Sequence, residues 1–374
     1  MIEKPFKHGA DFEHLRKVLM RETTKGPVPI IELFVDVDVM AEITGMDIPV
    51  DKATEFIRNF GWSNDPEVVL AGSRIMDLSL AFSQAMGYDY VTLTLLMPLP
   101  RTQSQLKENP QQGGKIRAWQ NEHRGIITTR KEFEEFPWPA IDQIDVFPLE
   151  YAASKMPPGM KVVSFWTGIF EDLKLIMGIE NMAIKSIKEP DLLNDILEIL
   201  TVLAEAGVGM AAAHPATGAV LYADDMGFKT GTMLSPKFMR EYVIPRHKRI
   251  ADACHKHDKP FIFHSCGHVD ALMKDLIEVV GIDARHSFQD NIEPVENVYR
   301  KYHDRISIVG GVDVDLLARA TPAQVRARTR QILEACAPGG GFCMGTGNSV
   351  TNYCKIENYY AMLDETRKWN EEHG

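Results

Sequence analysis

The sequence is poor in cysteine, has no surplus of positive charge and holds no long unbroken apolar run. Each shortage excludes something. Five cysteines (Cys254, Cys266, Cys336, Cys343 and Cys354) in 374 residues are too few, and odd in number, for a disulfide-stapled secreted scaffold. With 41 Lys and Arg against 52 Asp and Glu, the net charge is −11. That argues against nucleic acid as a partner, because polyanions need a basic face. A long uncharged run, Ala206 to Ala223, is rich in Ala and Gly and is broken by His214 and Pro215. No membrane span is expected from it. Met1 to His8 is polar and lacks the apolar core of a signal peptide, so a cytoplasmic protein is expected. There is no repeat and no low-complexity tract. What is present, 45% apolar and 25% charged residues, is ordinary globular composition.

Short β-branched or aromatic runs alternate with long amphipathic stretches. The runs Pro29–Val35, Tyr88–Leu95, Val162–Thr167, Ala219–Ala223, Pro260–His264, Gly281–Phe288, Ile306–Gly310 and Gly341–Gly345 read as strands. Several are almost wholly apolar, as parallel strands buried on both faces are. Helices open at Asp191, at Ser235-Pro236 and at Thr321-Pro322, each a capping residue at or just before a helix start. Strand–helix alternation with eight strands predicts a single (β/α)8 TIM barrel over residues 1–374, preceded by an N-terminal helical extension. A doubly wound open sheet is the competing arrangement. Residues 97–160, rich in proline and carrying Gln111-Gln112-Gly113-Gly114, form a loop-rich insertion after the second strand, with Lys115–Trp119 and Gly125–Thr129 as a small hairpin. Such an insertion lies on the face where barrel active sites form and is a candidate lid; a decorated surface loop is the alternative.

The sharpest chemical signal is His264-Ser265-Cys266 at the end of a strand. Residues two apart on a strand face the same side, about 7 Å apart, so an imidazole and a thiolate can meet one ion. Cys343, at the end of the last strand, is the candidate third donor. The competing reading is a hydrogen-bonded core histidine beside two buried thiols. Cys254, Cys336 and Cys354 read as packing residues. Glu32 is a candidate at the barrel mouth, with a structural carboxylate paired to a barrel Arg or Lys as its alternative. Asp224 and Asp225 follow a strand, where alternation lets only one face inward.

From Ala219 onward the chain resembles the uroporphyrinogen decarboxylase superfamily. The resemblance is carried by Asp224 after Leu221-Tyr222-Ala223, by Leu234-Ser235-Pro236 and by Gly310-Gly311-Val312-Asp313. Within it, His264-x-Cys266 with a distant Cys343 is similar to the zinc motif of the methylcobamide:coenzyme M methyltransferases. The first strand end, Glu32-Leu33-Phe34-Val35-Asp36, lacks the arginine-rich segment that holds a porphyrinogen's carboxylates. The resemblance implies Zn²⁺ on His264, Cys266 and Cys343 with Asp224 catalytic or orienting; by position alone, Glu32 joins it as a catalytic candidate at the mouth, and His286 and Gln289 after the Gly281 strand and Asn348 beside Cys343 are substrate-binding candidates. The resemblance further implies a methyl group moved between a corrinoid (methylcobalamin) on a separate corrinoid protein and a small donor or acceptor, and a homodimer. The alternatives are uroporphyrinogen-type decarboxylation and a non-catalytic corrinoid-associated protein.

Overall fold

The computed structural model describes residues 9–49, 51–53, 56, 66–100, 105–108, 116–119 and 125–373. Among these residues seven strands form one parallel sheet: β1 (Tyr90–Thr94), β4 (Lys161–Thr167), β5 (Thr217–Ala223), β8 (Phe261–His264), β9 (Ala284–His286), β10 (Ser307–Val309) and β11 (Phe342–Cys343), while β6 (Gly227–Phe228) and β7 (Gly231–Thr232) pair with each other outside it. Their spatial order follows chain order. A doubly wound sheet reverses order at a switch point, and this one does not.

The eighth predicted strand is present in irregular form. Pro29–Val35 joins the β11 side through parallel bridges at Ile30–Met344 and Val35–Val350. Towards β1 it is tied by a side chain instead, the Glu32 amide donating to Tyr90 Oη at 2.6 Å. A hydroxyl stands where a ladder carbonyl would be, so the curled sheet meets itself without a continuous ladder at that seam. The architecture is an α/β, TIM-barrel-like fold.

The extension helix Phe12–Leu19 lies against the amino ends of the strands. Its buried face is Phe12, Leu15, Val18 and Leu19, and Ser307 Oγ donates to Val18 O at 2.8 Å. Gly218 makes room for it: a Cβ there would stand 2.2 Å from the Phe12 ring. The expected helix from Ser235 is interrupted, with a π-helical turn at Met239–Val243 before Ile244–His255. Pro245 has no amide to give to the carbonyl four residues back, which loosens that turn. Pro190–Ala213 is long and apolar enough to cross a membrane; here it packs over the sheet and neighbouring helices.

Two expectations for 97–160 change. Ile116–Trp119 (β3) pairs antiparallel with Gln105–Glu108 (β2), not with 125–129. Ile126 and Ile127 instead donate to the Ile176 carbonyl, and Thr129 opens a capping box with Glu132. From there the segment carries the helices Arg130–Glu135 and Phe147–Lys155, so its second half is helical and anchored. Gln111-Gln112-Gly113-Gly114 lies outside the described residues.

Candidate metal centre

Register places the carboxyl ends of three strands level, with Ala223 beside His264 and His264 beside His286. Just beyond them Asp225, His264 and Cys266 bring one ligand atom each to within 4.8 Å of the others. His264 Nε2 lies 3.4 Å from Cys266 Sγ and 3.5 Å from Asp225 Oδ1. Bond lengths to zinc with tetrahedral angles require edges of about 3.6 Å and about 3.4 Å, so the donor set fits a divalent ion. The turn is locked by its backbone, the Cys266 amide donating to Asp225 Oδ1 at 2.8 Å. Gly267 (φ +79°) packs on Gly227, where a Cβ would stand 2.2 Å from the Gly227 carbonyl oxygen.

The electrostatics are those of a cluster sharing charge. Burial opposes a charged His264, but the Cys266 thiolate and the Asp225 carboxylate prevail and raise the imidazole to about 10. Burial likewise opposes ionised Asp225, but the His264 hydrogen bond and charge, the Cys266 amide and the Lys174 charge together outweigh it and hold that carboxyl well below its usual range. An ion entering here displaces the proton between them.

Outer contacts brace the cluster. Asn348 Oδ1 accepts from the Ser349 amide at 2.8 Å, which directs Nδ2 at Cys266 Sγ, 3.2 Å away. Behind His264 lies His286, fully buried and pushed down to about 3 by burial and by the facing His264 charge. Glu171 and Lys174, paired at 2.6 Å on the Ile169–Met177 helix, lie near Asp225 in charge terms. Burial pushes Glu171 up to about 7, with Lys174 pulling it down and Asp225 adding repulsion.

The expected site residues divide. His264 and Cys266 meet as their spacing requires. Cys343 does not join them: fully buried, it sits in the β11 ladder opposite Val309, its thiol raised by burial with Asp89 adding to the effect. Asp89 immediately precedes β1, at the amino end of the sheet, so Cys343 belongs to that half of the barrel. The third ligand atom of the candidate cluster comes from Asp225 instead. Asp224 takes the outward phase and caps the Ile169–Met177 helix, accepting from the Phe170 and Glu171 amides at 3.0 and 2.7 Å and bonding His247 Nε2 at 2.7 Å. It has no exposure, and its two oxygens are taken up by these partners. His286 is fully buried and touches His264 and Thr346, behind the cluster.

Glu32 is buried inside the barrel and, among the described residues, pairs with neither Arg nor Lys. Its Oε2 accepts from the Thr346 amide at 3.0 Å and from the Thr346 hydroxyl, while burial, only partly offset by these bonds, raises the carboxyl to about 8. Gln289 and Asn348 line an open cavity of about 930 Å³ with Phe288, Asp313, Gln324 and Tyr353. Through Asn348 that cavity adjoins Cys266. Glu171, Lys174 and Thr346 were not anticipated: helical i, i+3 charge pairs and strand threonines occur everywhere and carry no signal of a site.

A family model described as uroporphyrinogen decarboxylase (URO-D) matches residues 148–369, more than half of the chain. The chain belongs to the URO-D family. Among curated relatives, a methylated-thiol–coenzyme M methyltransferase of Methanosarcina mazei is 29% identical over 207 residues, 54% of this URO-D chain and 52% of the relative. The chain thus matches about half the length of that relative. A solved methyltransferase structure from Methanosarcina mazei superposes with a TM-score of 0.69 at 16% identity, covering 97% of this chain and 99% of that one. A B12-independent methionine synthase from Shewanella sp. W3-18-1 follows at TM-score 0.50 and 11% identity, over 83% of this chain and 90% of that one. These two share the URO-D barrel architecture.

Proposed function

We propose that this URO-D family member is a zinc-dependent methyltransferase. It moves a methyl group between a corrinoid carried by a separate protein and a small donor or acceptor bound in the cavity beside Cys266. The observation that carries the reading is the three-donor cluster of Asp225, His264 and Cys266 at the carboxyl end of the barrel, the face on which this fold does chemistry. The methyltransferase relative over half of its length supports the reaction class.

Asp225, His264 and Cys266 would hold the ion, which when bound supplies Lewis acidity towards a substrate thiol or a methylated heteroatom. One carboxylate and one thiolate offset a divalent charge as fully as two thiolates, so replacing Cys343 by Asp225 leaves the charge balance unchanged. Asn348 steers approach by lining the cavity while holding Cys266 Sγ. Glu171, half-buried beside Lys174 and raised to about 7, would take a proton from an incoming thiol. The hairpin β2–β3, in the insertion after β1, is the candidate lid. Five unpaired cysteines suit a reducing cytoplasm.

Metal analysis of the purified protein tests the proposal together with methyl transfer from methylcobalamin. About one zinc per chain and turnover lost on chelation are expected. Zinc far below stoichiometry after reconstitution overturns it, and turnover of uroporphyrinogen that survives chelation replaces it with decarboxylation.

A further inference from the structure

Two buried imidazoles face each other behind the donor cluster. His264 Nδ1 and His286 Nδ1 are 2.6 Å apart, with ring centroids at 4.9 Å. On its far side His286 Nε2 lies 3.0 Å from the Thr346 carbonyl oxygen. A carbonyl can only accept, so His286 Nε2 carries a hydrogen. A single proton then lies between the two Nδ1 atoms. On His286 it would make an imidazolium with no exposure and no carboxylate partner, the costliest form of that ring. On His264 it leaves His286 neutral and leaves Nε2, which faces Cys266 and Asp225, as the nitrogen able to ligate once the proton shared there is displaced.

We propose that His286 is a positioning residue that holds His264 in the single tautomer whose Nε2 ligates the ion. The inference rests on the metal reading above. Its anchor is built from three directions. Thr346, whose carbonyl fixes His286, is itself held by Glu32 from the first strand segment. Gly310 (φ +92°) leaves space for the ring, since a Cβ there would come within 3.0 Å of His286 Nε2. Metal-bound histidines usually pass their second N–H to a carboxylate or a backbone carbonyl, which raises ligand basicity. A neutral imidazole acceptor donates less, and so leaves the ion more of its Lewis acidity.

The test compares His286→Phe, which removes the acceptor, with His286→Asn, whose Oδ1 falls where Nδ1 was. Zinc affinity is measured on the whole protein by competition with a chromophoric chelator, and unfolding midpoints of the metal-free forms separate packing from ligation. The Phe variant is expected to bind zinc about 10–100-fold more weakly, with affinity largely restored in the Asn variant. Wild-type affinity in the Phe variant, or equal loss in both, overturns the inference while leaving the zinc reading intact. Wild-type protein that binds no zinc fails at the earlier step and removes both. Independently of any variant, long-range ¹H–¹⁵N spectra of zinc-loaded, histidine-labelled wild type should show His286 protonated at Nε2 only. A proton on its Nδ1 overturns the tautomer lock.

Discussion

The two mouths of the barrel are built from opposite chemistry. At the amino end, the Phe12–Leu19 helix presses apolar side chains onto the strands, and the thiol found in that half, Cys343, is fully buried in the ladder. At the carboxyl end, half-buried Asp225 and Cys266 crowd charge and lone pairs against buried His264 and His286, with a cavity alongside. The first arrangement is what stability favours. The second is costly unless an ion compensates it, which is why a thiol in one half reads as core and a thiol in the other as ligand.

The contrast can be broken most severely at Cys266. Cys266→Ser should abolish stoichiometric zinc and methyl transfer together, read by metal analysis and turnover, while the unfolding midpoint of the metal-free protein moves little. The adjacent pair Asp224 and Asp225 sharpens it. Asp224→Asn breaks a buried pair with His247 and weakens a helix cap, costing about 3–5 kcal/mol in denaturant unfolding, yet the protein that remains folded should still bind zinc. Asp225→Asn should do the reverse, weakening zinc with a smaller stability change.

Glu32 gives a pH signature. Its folded pKa of about 8 stands above the ordinary carboxyl value of 4.5, so the folded state holds the extra proton. That contribution to stability is complete below the unfolded value and is lost as pH rises through about 8. Metal-free wild type should therefore weaken between pH 6 and about 9 in denaturant melts, and Glu32→Gln should flatten that slope. The smallest effect belongs to the amino end: Cys343→Ala should cost about 1–2 kcal/mol, as a one-atom cavity does, with zinc content unchanged. Loss of zinc in that variant would erase the distinction between the two thiols.

The fold was legible because parallel strands buried on both faces leave apolar runs, and each of the seven ladder strands falls within or overlaps an expected run. Pro29–Val35 was legible too, though not its irregular pairing, since that depends on a tyrosine hydroxyl far along the chain. The hairpin partner of Ile116–Trp119 was not, because Gly125–Thr129 and Gln105–Glu108 are equally plausible neighbours until Ile126 and Ile127 are seen spending their amides on Ile176. In the site, alternation required one of Asp224 and Asp225 to face inward, but its phase depends on where β5 begins. Cys343 misled because only Phe342–Cys343 form the ladder strand, and the chain runs on through Thr346 to Asn348 before it reaches the level of Cys266.

Local sequence was sufficient for what depends on one strand: an alternating chain puts residues 264 and 266 on one side, whatever surrounds them. The third donor, the imidazole behind the first and the amide against the sulfur come from other strands. Their height at the mouth is set by inter-strand register and barrel curvature, which are cooperative properties of the whole sheet. No stretch of sequence read alone contains them.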